Sequence, residues 1–121
     1  MLASVLGVHR AFSWVVILGN AAAGLWALAA GRWRRLRGRA LWWFTAAVEV
    51  AVAVEVALGV WLTSRQGIDA PRFHTFYGFV ALITVGIIYS YRGQLRQRMY
   101  LLYGLGGLFL MGLAIRAAVL S

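Results

Sequence analysis

The sequence predicts an all-α polytopic membrane protein: an antiparallel bundle of four transmembrane helices, with N- and C-termini outside. Three observations carry this reading. The chain of 121 residues is 63% hydrophobic and only 12% charged, outside the range of an ordinary soluble domain. Its apolar residues fall into four runs, each close to the ~20 residues needed to cross a hydrocarbon core of roughly 30 Å. Its charges gather between those runs, as in a protein that crosses the bilayer repeatedly. The expected organisation is a single domain over residues 1–121, with spans at about 2–30, 40–63, 72–91 and 99–120.

The first run, Leu2 to Ala30, is broken only by His9, Arg10 and Asn20. It is too long for a cleaved signal and lacks a basic start, so a retained helix is expected. Arginines 32, 34, 35, 37 and 39 then mark a loop. The second run, Ala40 to Thr63, has Trp42 and Trp43 at its start and Trp61 at its end, where interfacial aromatic belts sit. Ser64 to Ala70 is a short polar connection. Asp69 is suited to capping the third helix and Pro71 to its first turn, where a missing N–H has no partner to lose. That helix closes at Tyr89 and Tyr91. Arginines 92, 96 and 98 form the second basic loop, and Met99 to Leu120 is the last run.

Connections this short make neighbouring helices antiparallel. The two basic loops then share one side and hold eight of the twelve arginines. The positive-inside rule makes that side cytoplasmic and turns both termini and both histidines outward. The expectation is a multi-pass protein of the bacterial inner membrane, with the lipid bilayer as its first partner. The net charge of +9 is explained by loop arginines, and no basic stripe on a soluble fold points to nucleic acid. Without cysteine, disulfides, thiolate zinc sites and iron–sulfur clusters are excluded. No nucleophile–base pair, phosphate loop or acidic metal cluster is present, so the chain is not expected to be an enzyme on its own.

Ionisable groups are costly inside a membrane and mark functional candidates. His9 and His74 each begin the pattern histidine, two residues, aromatic, small, aromatic: Phe12, Ser13 and Trp14 correspond to Tyr77, Gly78 and Phe79. His9, Ser13, Val16, Asn20 and Gly24 share one face of the first span, and His74, Gly78, Ala81, Val85 and Gly86 do much the same in the third. Small residues below a histidine leave room for a flat ligand or let helices approach closely. If these spans are diagonal, both imidazoles point inward at one depth, which is the arrangement for bis-histidine ligation of a haem iron. Arg10, Arg65, Arg72 and Arg116 are then available for the haem propionates. The competing reading takes the histidines and arginines as interfacial contacts and the small residues as packing.

Glu49 and Glu55 lie inside the second span, roughly 120° apart around the helix. Glu55 follows the stripe Thr45, Val48, Val52, Gly59, Leu62. It is expected either to pair with Arg116, which stands at comparable depth, or to act as a proton acceptor. Glu49 has no partner evident in the sequence; it is expected to be neutral or to pair with another subunit. In the last span, Gly104, Leu108 and Gly112 suggest a close-packing ridge against the second span or a second protomer. A homodimer or a larger membrane complex is the corresponding partner expectation.

The run V-E-V-A-L-G-V-W-L-T-S-R-Q-G-I-D-A-P-R-F-H-T-F-Y-G-F-V, ending at Val80, resembles the segment joining two helices in the haem A synthase family. The His9–Arg10 pair, 65 residues before His74, is similar to that family's histidine–arginine helix start. The likeness covers residues 8 to 92 and implies His9 and His74 as axial ligands of a b-type haem on the outer side of a four-helix bundle. That family has two such bundles in one chain and an outer-loop cysteine pair, and this sequence has one bundle and no cysteine. The resemblance therefore implies one haem b rather than haem A synthesis.

The leading functional expectation is a small membrane b-type cytochrome-like protein, with one haem held by His9 and His74, for electron transfer or haem handling. The alternative is a non-enzymatic accessory or assembly subunit of a larger, respiratory-type membrane complex. A third is a proton-coupled carrier that uses Glu49 and Glu55.

Overall fold

A computed structural model describes residues 2–65, 67 and 71–120, with side chains from residue 5 onward. Four helices account for nearly all of it: α1 (Leu2–Arg32), α2 (Arg39–Arg65), α3 (Arg72–Tyr91) and α4 (Met99–Val119). All four are long and apolar enough to cross a membrane. In hydrocarbon every backbone N–H and C=O must find its partner inside the protein, and a helix does this within each segment. The expected spans coincide with the helices to within a few residues at each end.

The helices follow one another around the bundle. α1 packs most closely on α4, next on α2, and α3 leans on α4. The α2–α3 seam is the loosest of these four, and α1 and α3 stand on a diagonal. The core is built of small and aliphatic residues: Val16, Ala23, Ala27 and Ala30 from α1, Leu41, Val48 and Val52 from α2, and Leu110 and Leu113 from α4. Lipid tails are as apolar as leucine, so close van der Waals fit holds such helices together.

That fit is tightest where α1 crosses α4. A Cβ placed on Gly24 would stand 2.9 Å from the carbonyl oxygen of Gly104 and 2.9 Å from the amide nitrogen of Leu108. A Cβ on Gly104 would collide with the Leu28 side chain. The ridge expected at Gly104, Leu108 and Gly112 is therefore corrected. Its partner is α1 rather than the second span, the close-packing pair is Gly104 and Gly107, and Gly112 has open space where a Cβ would go.

The connection after α1 is a 3-10 turn over Arg34–Leu36, fastened by two side chains. Trp26 Nε1 donates to the Leu36 carbonyl at 2.9 Å. Arg37 donates to the carbonyls of Ala30 at 2.6 Å and Gly31 at 2.9 Å, closing groups that a helix end leaves open. Trp42 departs from the interfacial role expected of it: it packs inward on Tyr100 and Tyr103, with ring centres 5.5 and 5.3 Å away. Trp43 is 74% exposed, as a belt residue should be. At the α2–α3 connection, Gly67 takes φ +69°, a left-handed conformation that glycine adopts without steric cost. Pro71 sits at the N-cap of α3 rather than inside its first turn and makes no side-chain cap. Its carbonyl accepts from the Thr75 amide at 3.2 Å. Asp69 lies outside the described residues.

Candidate functional site

At the end of the bundle opposite the basic loops, residues from all four helices converge. His9 comes from α1, Glu55 and Gly59 from α2, His74 and Tyr77 from α3, and the Ala117 carbonyl and Arg116 from α4. The structure brings His9 and His74 together, their ring centres 6.0 Å apart and their planes at 88°. Sixty-five residues separate them in sequence; the diagonal arrangement of α1 and α3 closes that gap.

Each imidazole has a specific neighbour at Nδ1. His74 Nδ1 stands 2.6 Å from the Ala117 carbonyl oxygen, in the last turn of α4. A carbonyl can only accept, so the proton of neutral His74 belongs on Nδ1 and Nε2 keeps its lone pair. His9 Nδ1 stands 3.0 Å from Glu55 Oε1, with the two side chains 14% and 13% exposed. Proximity here is not matched by alignment: both atoms are buried and neither completes a hydrogen bond. Gly59, one turn beyond Glu55, admits the imidazole; a Cβ there would come within 3.3 Å of His9 Cε1.

The expected Glu55–Arg116 pair is thus replaced by a Glu55–His9 pair. Arg116 lies instead with its guanidinium carbon 5.8 Å from the centre of the Tyr77 ring, on the rim of the site. Arg10, Arg65 and Arg72 are exposed near the same end. Of the small residues, Gly78 is half-buried one turn below His74, with nothing within 4 Å of where its Cβ would be. Ser13 is satisfied locally by the Arg10 carbonyl at 2.5 Å. Asn20 is buried and donates to the Val16 carbonyl at 2.8 Å, so it closes on its own helix. Gly86 is exposed and belongs to the outer face.

Glu49 stands apart from this cluster. It is half-buried, within electrostatic reach of the Tyr103 hydroxyl on α4.

The donor set bears on what the site can hold. Among the described residues, no group of three His, Cys, Asp or Glu side chains is arranged to bind a metal ion. Two imidazoles alone suit an iron that arrives with its own equatorial nitrogens, as in haem. His9 and His74 stand edge to face at 6.0 Å and 88°, within the usual range for neighbouring aromatic rings. A second partner at Nδ1 is also the usual arrangement behind a ligating histidine, and His74 has one in the Ala117 carbonyl. The residues present therefore fit the group.

No protein-family model, no curated protein and no solved structure matches the chain.

Proposed function

We propose that the protein is a small b-type cytochrome of the membrane, binding one haem b through His9 and His74 for electron transfer or haem handling. The observation that carries this reading is the pair of imidazoles 6.0 Å apart, with His74 Nδ1 on the Ala117 carbonyl so that its Nε2 keeps a lone pair for a metal. Haem would supply a one-electron iron couple. This chain's residues would orient the two ligands: the Ala117 carbonyl holds the His74 ring, and the His9 ring sits in the gap at Gly59 with Glu55 beside it. Arg116, Arg10 and Arg72 provide cationic groups for carboxylates at the rim.

Both basic loops lie at the opposite end, so the positive-inside rule turns the histidines and both termini outward, across a bacterial inner membrane. The test is a dithionite-reduced minus oxidised spectrum of the purified protein, beside His9→Ala and His74→Ala. A sharp alpha band that both substitutions abolish is the expected result. A flat spectrum after expression with ample haem rejects the proposal.

The accessory-subunit reading has one observation in its favour. Phe73, Phe76, Ile83 and Ile87 form an exposed apolar stripe on α3, the helix its neighbours cover least, and such a face can meet a helix of a larger complex. Colourless protein that co-purifies with membrane partners, and loses them when this stripe is changed, would favour it.

A further inference from the structure

The cytoplasmic-side connection between α3 and α4 contains a feature that the haem site does not use. The loop Gly93–Arg98 surrounds a polar hollow of about 400 Å³. Directly beneath it, an apolar groove of about 470 Å³ runs between α3 and α4, floored by Ile88, Leu102 and Gly106 and flanked by Leu101, Leu105 and Phe109. The two share Leu95 and Arg98, so the cationic hollow adjoins the apolar groove on the bundle surface.

The arginines of the two basic loops are not equivalent. Arg37 is committed to the carbonyls at the end of α1, and Arg92 lies 3.8 Å over the Tyr89 ring while donating to the Tyr89 carbonyl. The Arg96 and Arg98 side chains form no hydrogen bond or ion pair among the described residues, and both residues line the hollow. Gln94 and Gln97 add neutral donors beside them. Behind them α4 begins at Met99 without a side-chain cap, so its first amides carry unopposed partial positive charge.

We infer that this hollow and groove together bind one anionic phospholipid. The phosphate sits against Arg96 and Arg98 and one acyl chain lies in the groove along Leu101, Leu105 and Phe109. Charge complementarity selects the headgroup, because juxtamembrane arginines favour anionic over zwitterionic lipids. The apolar groove selects a lipid over a free anion. Gly106 opens the floor: a Cβ there would stand 2.6 Å from Ile88 Cδ1, so any larger residue would force that side chain out of its place.

The test is native mass spectrometry of the full chain in non-ionic detergent, with dioleoyl-phosphatidylglycerol, dioleoyl-phosphatidylcholine or inorganic phosphate added separately. The parent protein is expected to retain one phosphatidylglycerol. Retention should fall about tenfold or more in R96Q/R98Q, at roughly 1 kcal/mol for each arginine removed from the lipid surface. It should also fall in L105W, which fills the groove from an exposed position without altering charge, and persist in R34Q/R35Q, which removes the same charge from the other loop. Equal retention of phosphatidylcholine, equal loss in both arginine pairs, or no retained lipid would each overturn the proposal. Phosphate binding that L105W leaves intact would reduce it to a simple anion site and overturn it as well.

Discussion

Gly24 of α1 and Gly107 of α4 meet backbone to backbone: a Cβ on Gly107 would stand 2.9 Å from the Gly24 Cα. Neither neighbour is a flexible side chain that can move aside. The two helices are therefore in register only while both positions lack a side chain, and the strongest packing in the bundle depends on that.

Gly24→Ala and Gly107→Ala should each destabilise the bundle by about 1–3 kcal/mol through overpacking. Gly112→Ala, with open space around it, should be near neutral. Thermal unfolding in detergent micelles measures this, and a Gly112→Ala effect as large as the other two would contradict the assignment of the ridge.

Glu55 is expected to act on haem retention through His9, 3.0 Å away. Removing an outer-shell partner of a ligating histidine typically costs 10–100-fold in affinity. Glu55→Ala should lose haem to a competing apoprotein by about that factor, while Glu55→Gln, which keeps an oxygen in reach, should lose less. Haem retained equally in all three proteins would show that the carboxylate does not orient the ring.

Gly59 makes room for the same imidazole. Gly59→Leu should displace His9, weakening the alpha band while leaving helix content close to that of the parent. An unchanged spectrum in this variant would mean that His9 does not need that space.

Arg37 ties the last carbonyls of α1 to the loop that follows, and its guanidinium carbon also lies 4.6 Å from the centre of the Tyr100 ring. Because the side chain is exposed, solvent screens part of this, and Arg37→Ala should cost about 1–2 kcal/mol. Trp26→Phe, which deletes the single bond to Leu36, should cost about 1 kcal/mol. Both are read by unfolding in the same micelles.

Much of the architecture was legible because a hydrocarbon layer imposes lengths. Four apolar runs of the right size, separated by arginines, leave few alternatives for a chain that must satisfy its own backbone. The two histidines were legible for a related reason, since a repeated pattern at two helix mouths implies a common depth. What the pattern could not reveal was azimuth. His9 and Arg116 stand at similar depth beside Glu55, and only the rotation of α1 and α4 about their axes decides between them. The same holds for Gly107: spacing by four singled out Gly104 and Gly112, whereas the actual crossing uses residues three apart. Trp42 shows a third limit, because its place at a helix start is shared by lipid-facing and inward-packed tryptophans alike.

The diagonal placement of α1 and α3 has a mechanical consequence. These helices hold each other mainly through their neighbours, and His9 and His74 add a direct contact between them. Any group gripped by both rings acts as a crossbrace, joining positions 65 residues apart and removing the freedom of the opened chain. A bundle carrying that brace should unfold as one unit, and without it α3 should be the first helix to detach.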